Sequence, residues 1–238
     1  MTVAAPAKRR VFRLSRERRV SDIMAAARDV FREKGYEDAL LSDIAIRANV
    51  VEGSIYRYFD NKRDLLVKVI EDWYETMLAN YDKQLSGISG TRNRLRFMIW
   101  RHLATIHEDP ALCQLMFMFL RTGTDYSATG VYELNRQYTR RTLDIVKEGI
   151  AAGELRSDVS LRLVRDMIYG CIEHRTWAYL RREGEFDPDE TADAVVDLIL
   201  AGLQKPRTVV PSAPDADLAV RLERAIDKLE RLGQGAAT

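Results

Sequence analysis

The chain has 238 residues, enough for a sizeable core in one or two domains. Its 46% apolar and 31% charged content is that of an ordinary soluble protein, and no apolar run is long enough to span a bilayer, so no membrane partner is expected. The net charge of +1 conceals an asymmetry: residues 1–63 carry 14 Lys/Arg against 9 Asp/Glu, and the remainder 23 against 27. A basic leading portion on a mildly acidic body fits a polyanion-binding end with a separate function elsewhere, although a solvated charged face explains the charge alone equally well. Apolar residues recur at helical spacing and only 6 prolines are present, so an all-α fold is expected. Cys113 and Cys171 sit in apolar helical patterns, as packed thiols of a reduced cytoplasmic protein would. The basic N-terminus is not followed by an apolar segment, so it does not read as a secretion signal.

In chain order, residues 1–14 form a basic arm with Lys8, Arg9, Arg10 and Arg13, suited to following a phosphate backbone or to solubilising the chain. Ser15 can cap a helix over residues 15–34, with Val20, Ile23, Met24, Ala27, Val30 and Phe31 as its apolar stripe and Gly35 just past its end. Ser42 is placed to cap a short second helix whose Ile44, Ala45 and Ala48 face inward. Asn49 tolerates the left-handed conformation of a tight turn, and Val50 plugs that turn. A third helix is expected over residues 52–59, with Ile55 and Phe59 toward the core and Ser54, Arg57 and Tyr58 on other faces.

Two short helices joined by a tight turn on a longer supporting helix are what helix-turn-helix DNA reading requires, because a short helix must stand out far enough to enter a major groove. Arg57 can bond guanine bidentately, the hydroxyls of Tyr56 and Tyr58 suit phosphate oxygens, and Gly53 allows close backbone approach. In one register, Gly35-Tyr36, Ser42-Asp43-Ile44-Ala45, Ala48-Asn49-Val50, Gly53-Ser54-Ile55-Tyr56-Arg57-Tyr58-Phe59, Asn61-Lys62 and Leu65-Leu66 resemble the TetR/AcrR family of one-component bacterial regulators. The resemblance covers residues 16–66; it departs at Asn49, where the family more often has Gly, and at Val51-Glu52, where it often has Ser-Lys. It implies that Ser42, Ser54, Tyr56, Arg57, Tyr58 and Lys62 lie at the DNA surface, with Tyr36 and Phe59 in the core.

Beyond the head, helices are expected over residues 61–85, 91–107, 110–121, 131–152, 160–183 and 188–203, with Asp109-Pro110 and Asp187-Pro188 as cap-then-proline starts. The segment after Pro110 is apolar almost all round and should be buried; its methionines and phenylalanines are candidates to line a cavity, or plain core. The last two body helices carry long apolar stripes that suit a four-helix homodimer interface, an arrangement the family resemblance also implies. After a linker at residues 205–214, Leu218, Leu222, Ala225, Leu229 and Leu232 alternate at spacings of four and three, a short seam that can pair across a dimer, pack back or fray. The expected division is therefore a basic arm (1–14), a helix-turn-helix head (15–61), a regulatory and dimerisation body (62–204) and a linker with an amphipathic helix (205–238).

Glu173, His174 and Arg175 interrupt an apolar helix, and with Leu163-Val164-Arg165 this part loosely resembles the acyl-CoA-responsive repressors of fatty-acid degradation in that family. The candidate effector residues are His102, Met116, Phe117, Phe119, Tyr169, His174, Arg175 and Trp177, for an acyl-CoA or fatty acid or another apolar or aromatic molecule. The three histidines are too scattered for a metal site, and no nucleophile motif or nucleotide fingerprint is present, so neither catalysis nor a cofactor is expected. The resulting reading is a cytoplasmic, dimeric repressor of a palindromic double-stranded DNA operator, released by a small apolar effector. The alternative is a helical small-molecule binder or enzyme that keeps the head as scaffold.

Overall fold

The computed structural model describes residues 15–205 and 220–226, and the expected basic arm lies outside them. Helix α1 (Arg16–Lys34) starts where Ser15 accepts the Arg18 backbone N–H and stops at Gly35, whose φ of 73° a side chain would resist. Its stripe buries Ile23, Ala27, Val30 and Phe31, the surface on which the short elements of the head rest. Helix α2 (Leu41–Arg47) begins two residues earlier than expected: its cap position is Leu40, which offers no side-chain acceptor, and Ser42 stands inside the first turn. Ser42 is thus left with a hydroxyl free for another partner. Asn49 does adopt the left-handed region, at φ 53°, and the Val50 N–H returns to Ala45 O at 2.9 Å to close the turn.

The third element is a 3-10 helix, Glu52–Arg57, where an α-helix over residues 52–59 was expected. Six residues that include Gly53 gain too few hydrogen bonds to nucleate a stable α-helix, and short segments commonly take the tighter winding. That winding sorts the side chains by threes. Ile55 is buried and Tyr58 half-buried on one edge, while Gly53 with Tyr56 and Ser54 with Arg57 occupy the other two.

Helix α3 (Lys62–Leu85), capped by Asn61, runs from the head into the body and buries Leu65, Leu66, Val69, Ile70, Tyr74, Met77, Leu78 and Tyr81. The body adds α4 (Thr91–Glu108), α5 (Pro110–Leu115), α6 (Gly130–Ala151), α7 (Leu161–Leu180) and α8 (Pro188–Leu203). Helix α4 packs on α6 and α8, and α3 on α1 and α6, so the core is continuous through the unit that ends at Gln204. The expected starts of α5 and α8 are realised: Asp109 accepts from the Leu112 N–H and Asp187 from the Glu190 N–H, each ahead of a proline. Helix α7 ends at Leu180, three residues short of expectation, where Arg182 turns to φ 60°.

The continuation of α5 is not α-helical. Residues Met116–Leu120 form a π-helical turn closed by the Arg121 N–H on Met116 O at 2.9 Å. Three residues on in an α-helix returns nearly to the starting face, but the wider π turn falls short of it. Phe119 therefore leaves the face of Met116 and turns toward the head. Nor is the segment wholly buried, since Met118 is 46% exposed. Cys113 is buried, whereas Cys171 is exposed on α7 and is not a packed thiol.

Among the described residues no strand is present and no helix is long and apolar enough to cross a membrane. The unit from Lys205 onward contains a helical stretch at residues 220–226; Leu218, Leu229 and Leu232 of the expected seam lie outside the described residues.

Candidate functional site

Two regions gather the candidate residues, one on the head and one in the body. On the head, Tyr56 is 54% exposed, and Arg57 is exposed with no acid within ion-pairing distance among the described residues. Most other cations of the head are committed: Lys34 to Asp43, Arg47 to Glu33 through two bonds of 2.6 and 2.7 Å, Arg28 to Asp72 and Arg32 to Asp109. Arg57 is thus a free fork of donors on the element that projects. Gly53 faces open space, and a Cβ there would meet nothing within 4 Å. Tyr58 is half-buried with the Arg16 guanidinium 5.9 Å from its ring centre, a cation–π contact that positions its hydroxyl edge.

Lys62 is not a free surface cation. Its ammonium donates to Tyr36 O at 2.7 Å, Ala39 O at 3.1 Å and Glu37 O at 3.2 Å, and lies 4.5 Å from the Tyr36 ring centre. All three donors are occupied, so Lys62 holds the α1–α2 connection and a DNA contact would require breaking that set. Exposed apolar side chains on the head escaped the sequence reading: Ile46 is 79% and Val51 74% exposed. Ile46 follows Ser42 by one helical turn, so the two share a face, and such groups suit thymine methyls. The available signal was an apolar residue that falls off the helical core stripe.

In the body, a cavity of about 690 Å³ opens between α3, α4, the π turn, α6 and α7. His102, Met116, Phe117 and Tyr169 line it, as expected. Phe119 does not; its ring packs tilted against Tyr36, with centroids 5.1 Å apart. Trp177 packs 6.0 Å from Phe117, outside the lining. His174 and Arg175 are exposed on the opposite side of α7. The buried residues Val164, Ile168, Ile172 and Thr176 define the inward edge of that helix; Tyr169 and Glu173 flank it on the cavity side, and residues 174 and 175 rotate past.

The mouth of the cavity is cationic. Arg121, Arg136, Arg162 and Arg165 line it against two carboxylates, Asp166 and Glu173. Arg121 pairs with Glu173 at 2.8 Å and Arg165 with Asp166 at 2.7 Å, while Arg162 and Arg136 meet Asp166 and Glu133 only at 4.0 Å, so four guanidiniums against three carboxylates leave one positive charge in excess for an anion. Apart from Arg165, noted as part of a motif, these arginines were not singled out beforehand, because they come from different helices and only the packing brings them together. Deeper, Tyr74 donates to Met116 Sδ at 3.1 Å and Asn135 Oδ1 at 3.3 Å, and Tyr169 shares a hydrogen bond with Thr142 at 2.7 Å. The His102 Nδ1 lies 2.8 Å from the Tyr138 hydroxyl, and burial, helped by the Arg121 charge, holds the imidazole down to about 4, so it is neutral near pH 7. Burial pushes the Tyr169 phenol up to about 12. A second cleft, of 770 Å³, lies between the end of α1, α5 and the end of α7; its Arg32, Glu33 and Lys34 are engaged in ion pairs, and it lacks a comparable cationic rim.

The wall between cavity and head is the π turn. Met116 and Phe117 face the cavity, while Phe119 is held from the other side, its ring by Tyr36 of the head and its carbonyl by Arg63 Nη1 at the start of α3, at 2.7 Å. Arg63 also pairs with Asp125, and Gly123 leaves room for that guanidinium, because a Cβ at Gly123 would collide with Arg63 Nη2.

Comparison with known proteins covers both parts of the chain. The family description "Bacterial regulatory proteins, tetR family" matches residues 23–69, and "Tetracyclin repressor-like, C-terminal domain" matches residues 89–203. The chain is 26% identical over 181 residues to the fatty acid metabolism regulator protein of Bacillus subtilis, covering 76% of this chain and 93% of that protein. It is 21% identical over 189 residues to the transcriptional repressor KstR2 of Mycolicibacterium smegmatis, covering 78% and 90%. Among solved structures, the regulator FadR from Bacillus subtilis in complex with stearoyl-CoA superposes with a TM-score of 0.68 at 25% identity, covering 77% of this chain and 99% of that one. The two family matches together span well over half of the sequence, and the chain belongs to the TetR family of DNA-binding transcriptional regulators.

Proposed function

We propose that this protein is a homodimeric repressor whose two heads read a palindromic operator and whose body releases DNA on binding a long-chain acyl-CoA. Residues 15–61 are the reading head and 62–204 the regulatory body. Arg57 reads a base edge, and Ser42, Gly53, Ser54, Tyr56 and Tyr58 set the register on the backbone. A second copy docks on α7 and α8, where Leu163 is 58%, Met167 54% and Leu198 73% exposed, with open Gly170 and Gly202 allowing close helix approach. Exposed His174 and Cys171 fall within that face rather than at the effector site.

The observation that carries the effector reading is the pairing of a deep cavity with an arginine rim, which matches a hydrocarbon tail joined to phosphates. FadR from Bacillus subtilis, related in sequence and fold, holds stearoyl-CoA. Coupling follows from the π turn. An acyl chain that displaces Met116 and Phe117 shifts Phe119 against Tyr36 and Arg63, and hence the head on α3. Isothermal titration with hexadecanoyl-CoA, free CoA and hexadecanoate tests this: the thioester should bind at least about tenfold tighter than either part. Equal binding of hexadecanoate alone, or no binding of the thioester, would overturn it. Light scattering should give a dimer mass at micromolar concentration, and a monomer mass would remove the paired heads.

A further inference from the structure

The floor of the cavity is not hydrocarbon throughout. Met116 and Phe117 are apolar, but Tyr74, His102, Asn135 and Tyr169 share the lining. The Tyr74 and Tyr169 hydroxyls have partners within the protein, at Asn135 and Thr142. His102 is satisfied at one nitrogen only: Nδ1 meets the Tyr138 hydroxyl, and Nε2 has no hydrogen-bond partner among the described residues. His102 lines the cavity and Tyr138 does not, so the ring is tied through Nδ1 on the protein side and Nε2 is the nitrogen left for a ligand. The imidazole is neutral, so Nε2 offers a hydrogen bond without demanding a counter-charge. A saturated chain laid across it would strip water from that nitrogen and return no hydrogen bond, a loss that selects against a purely apolar tail.

We propose that the effector's hydrocarbon part carries an oxygen function, a hydroxyl or a keto carbonyl, that hydrogen-bonds His102 Nε2 while its phosphates meet the arginine rim. The preferred ligand is then a CoA thioester of an oxygenated acyl acid rather than of a plain fatty acid. This rests on the acyl-CoA reading of the cavity and refines its chemical class. A hydroxyl serves either tautomer of His102, since it both donates and accepts. A keto carbonyl requires the tautomer in which Tyr138 donates to Nδ1 and Nε2 carries the proton, and burial keeps the Tyr138 phenol protonated for that role.

The test is a matched series by isothermal titration on the full chain: octanoyl-, dodecanoyl- and hexadecanoyl-CoA, each beside its ω-hydroxy and mid-chain keto counterparts. At one chain length the oxygenated ester should bind about tenfold tighter than its saturated partner, the size of one net hydrogen bond. His102→Leu should erase that preference and His102→Gln should retain most of it, with melting curves confirming that each variant folds. Were His102→Leu unfolded, the wild-type ratios and His102→Gln still decide. Tight binding of the saturated esters with no gain from oxygen at any length overturns this inference and leaves the acyl-CoA reading standing, as does a preference undiminished in folded His102→Leu. Failure of every CoA ester to bind the wild type overturns both.

Discussion

The two working regions of this chain are built in opposite ways. The head presents a few side chains outward from short elements, and their neighbours are consumed in holding them there: Lys62 on three carbonyls, Arg47 on Glu33, Ile55 and Phe59 in the core. The body turns its working side chains inward, from five separate elements, onto a cavity whose rim is charged and whose floor is mixed. A surface that docks a rigid polyanion needs one exposed edge, and local sequence determines it. A cavity that encloses a flexible ligand needs several helices at the right rotation, and that is decided only when the helices pack. The π turn joins the two, with Met116 and Phe117 on one side and Phe119 on the other.

The comparison can be broken most sharply at the seam between the regions. Asp109 caps α5 and binds Arg32 of α1, and is itself buried. Asp109→Ala should cost about 2–4 kcal/mol, from the lost cap and the guanidinium left half-covered, read as a fall in melting temperature. A change under about half a kcal/mol would show that this pair does not tie head to body.

On the head alone, Arg57→Ala should weaken cognate DNA by about 1–3 kcal/mol and relax discrimination at one base position, without moving the melting temperature. Competition binding checks it, and undiminished discrimination would leave Arg57 a solvated charge. On the body alone, Arg121→Ala together with Arg165→Ala should reduce acyl-CoA affinity about tenfold and leave effector-free DNA binding unchanged. Loss of both functions together would mean that the rim is structural.

The join has its own variant. Phe119→Ala should keep DNA and acyl-CoA binding near wild type while cutting the coupling between them by about 0.5–2 kcal/mol. Full coupling in the variant would move transmission away from the π turn. The smallest effect concerns pH. The His102 imidazole is held down to about 4 from its ordinary 6.5, so as pH falls from 6.5 toward 4 the unfolded chain takes up a proton there that the folded chain refuses. Stability linked to this group is therefore present above pH 6.5 and lost on the way down. The melting-temperature advantage of wild type over His102→Gln should shrink across that window, and a constant difference would contradict a buried neutral ring.

Much of this was legible in the residues. Ser15, Gly35, Asn49, Asp109 and Asp187 act locally, through caps and backbone angles, and the structure uses each as expected. Arg57 was legible as exposed because Ile55 and Phe59 fix the buried edge beside it, whereas Tyr58, read the same way, is half-buried. Two misreadings come from the assumption of an unbroken 3.6-residue period. It drew a full α-helix where Glu52–Arg57 winds more tightly, and it placed Phe119 with Met116 where the turn winds more loosely. His174 and Arg175 failed for a related reason: their spacing is helical, but only packing reveals which side of α7 meets the cavity. Lys62 was misplaced because its three carbonyl partners lie some two dozen residues upstream, beyond any local pattern.

The central claim is that filling the cavity changes how the heads hold DNA. Its most direct test is a fluorescence-anisotropy titration of the full chain against a duplex selected for tight binding, with and without saturating long-chain acyl-CoA. A five- to hundredfold loss of DNA affinity is expected in the presence of the ligand, roughly 1–3 kcal/mol of coupling. An unchanged DNA affinity, with calorimetry showing the acyl-CoA bound, would contradict it.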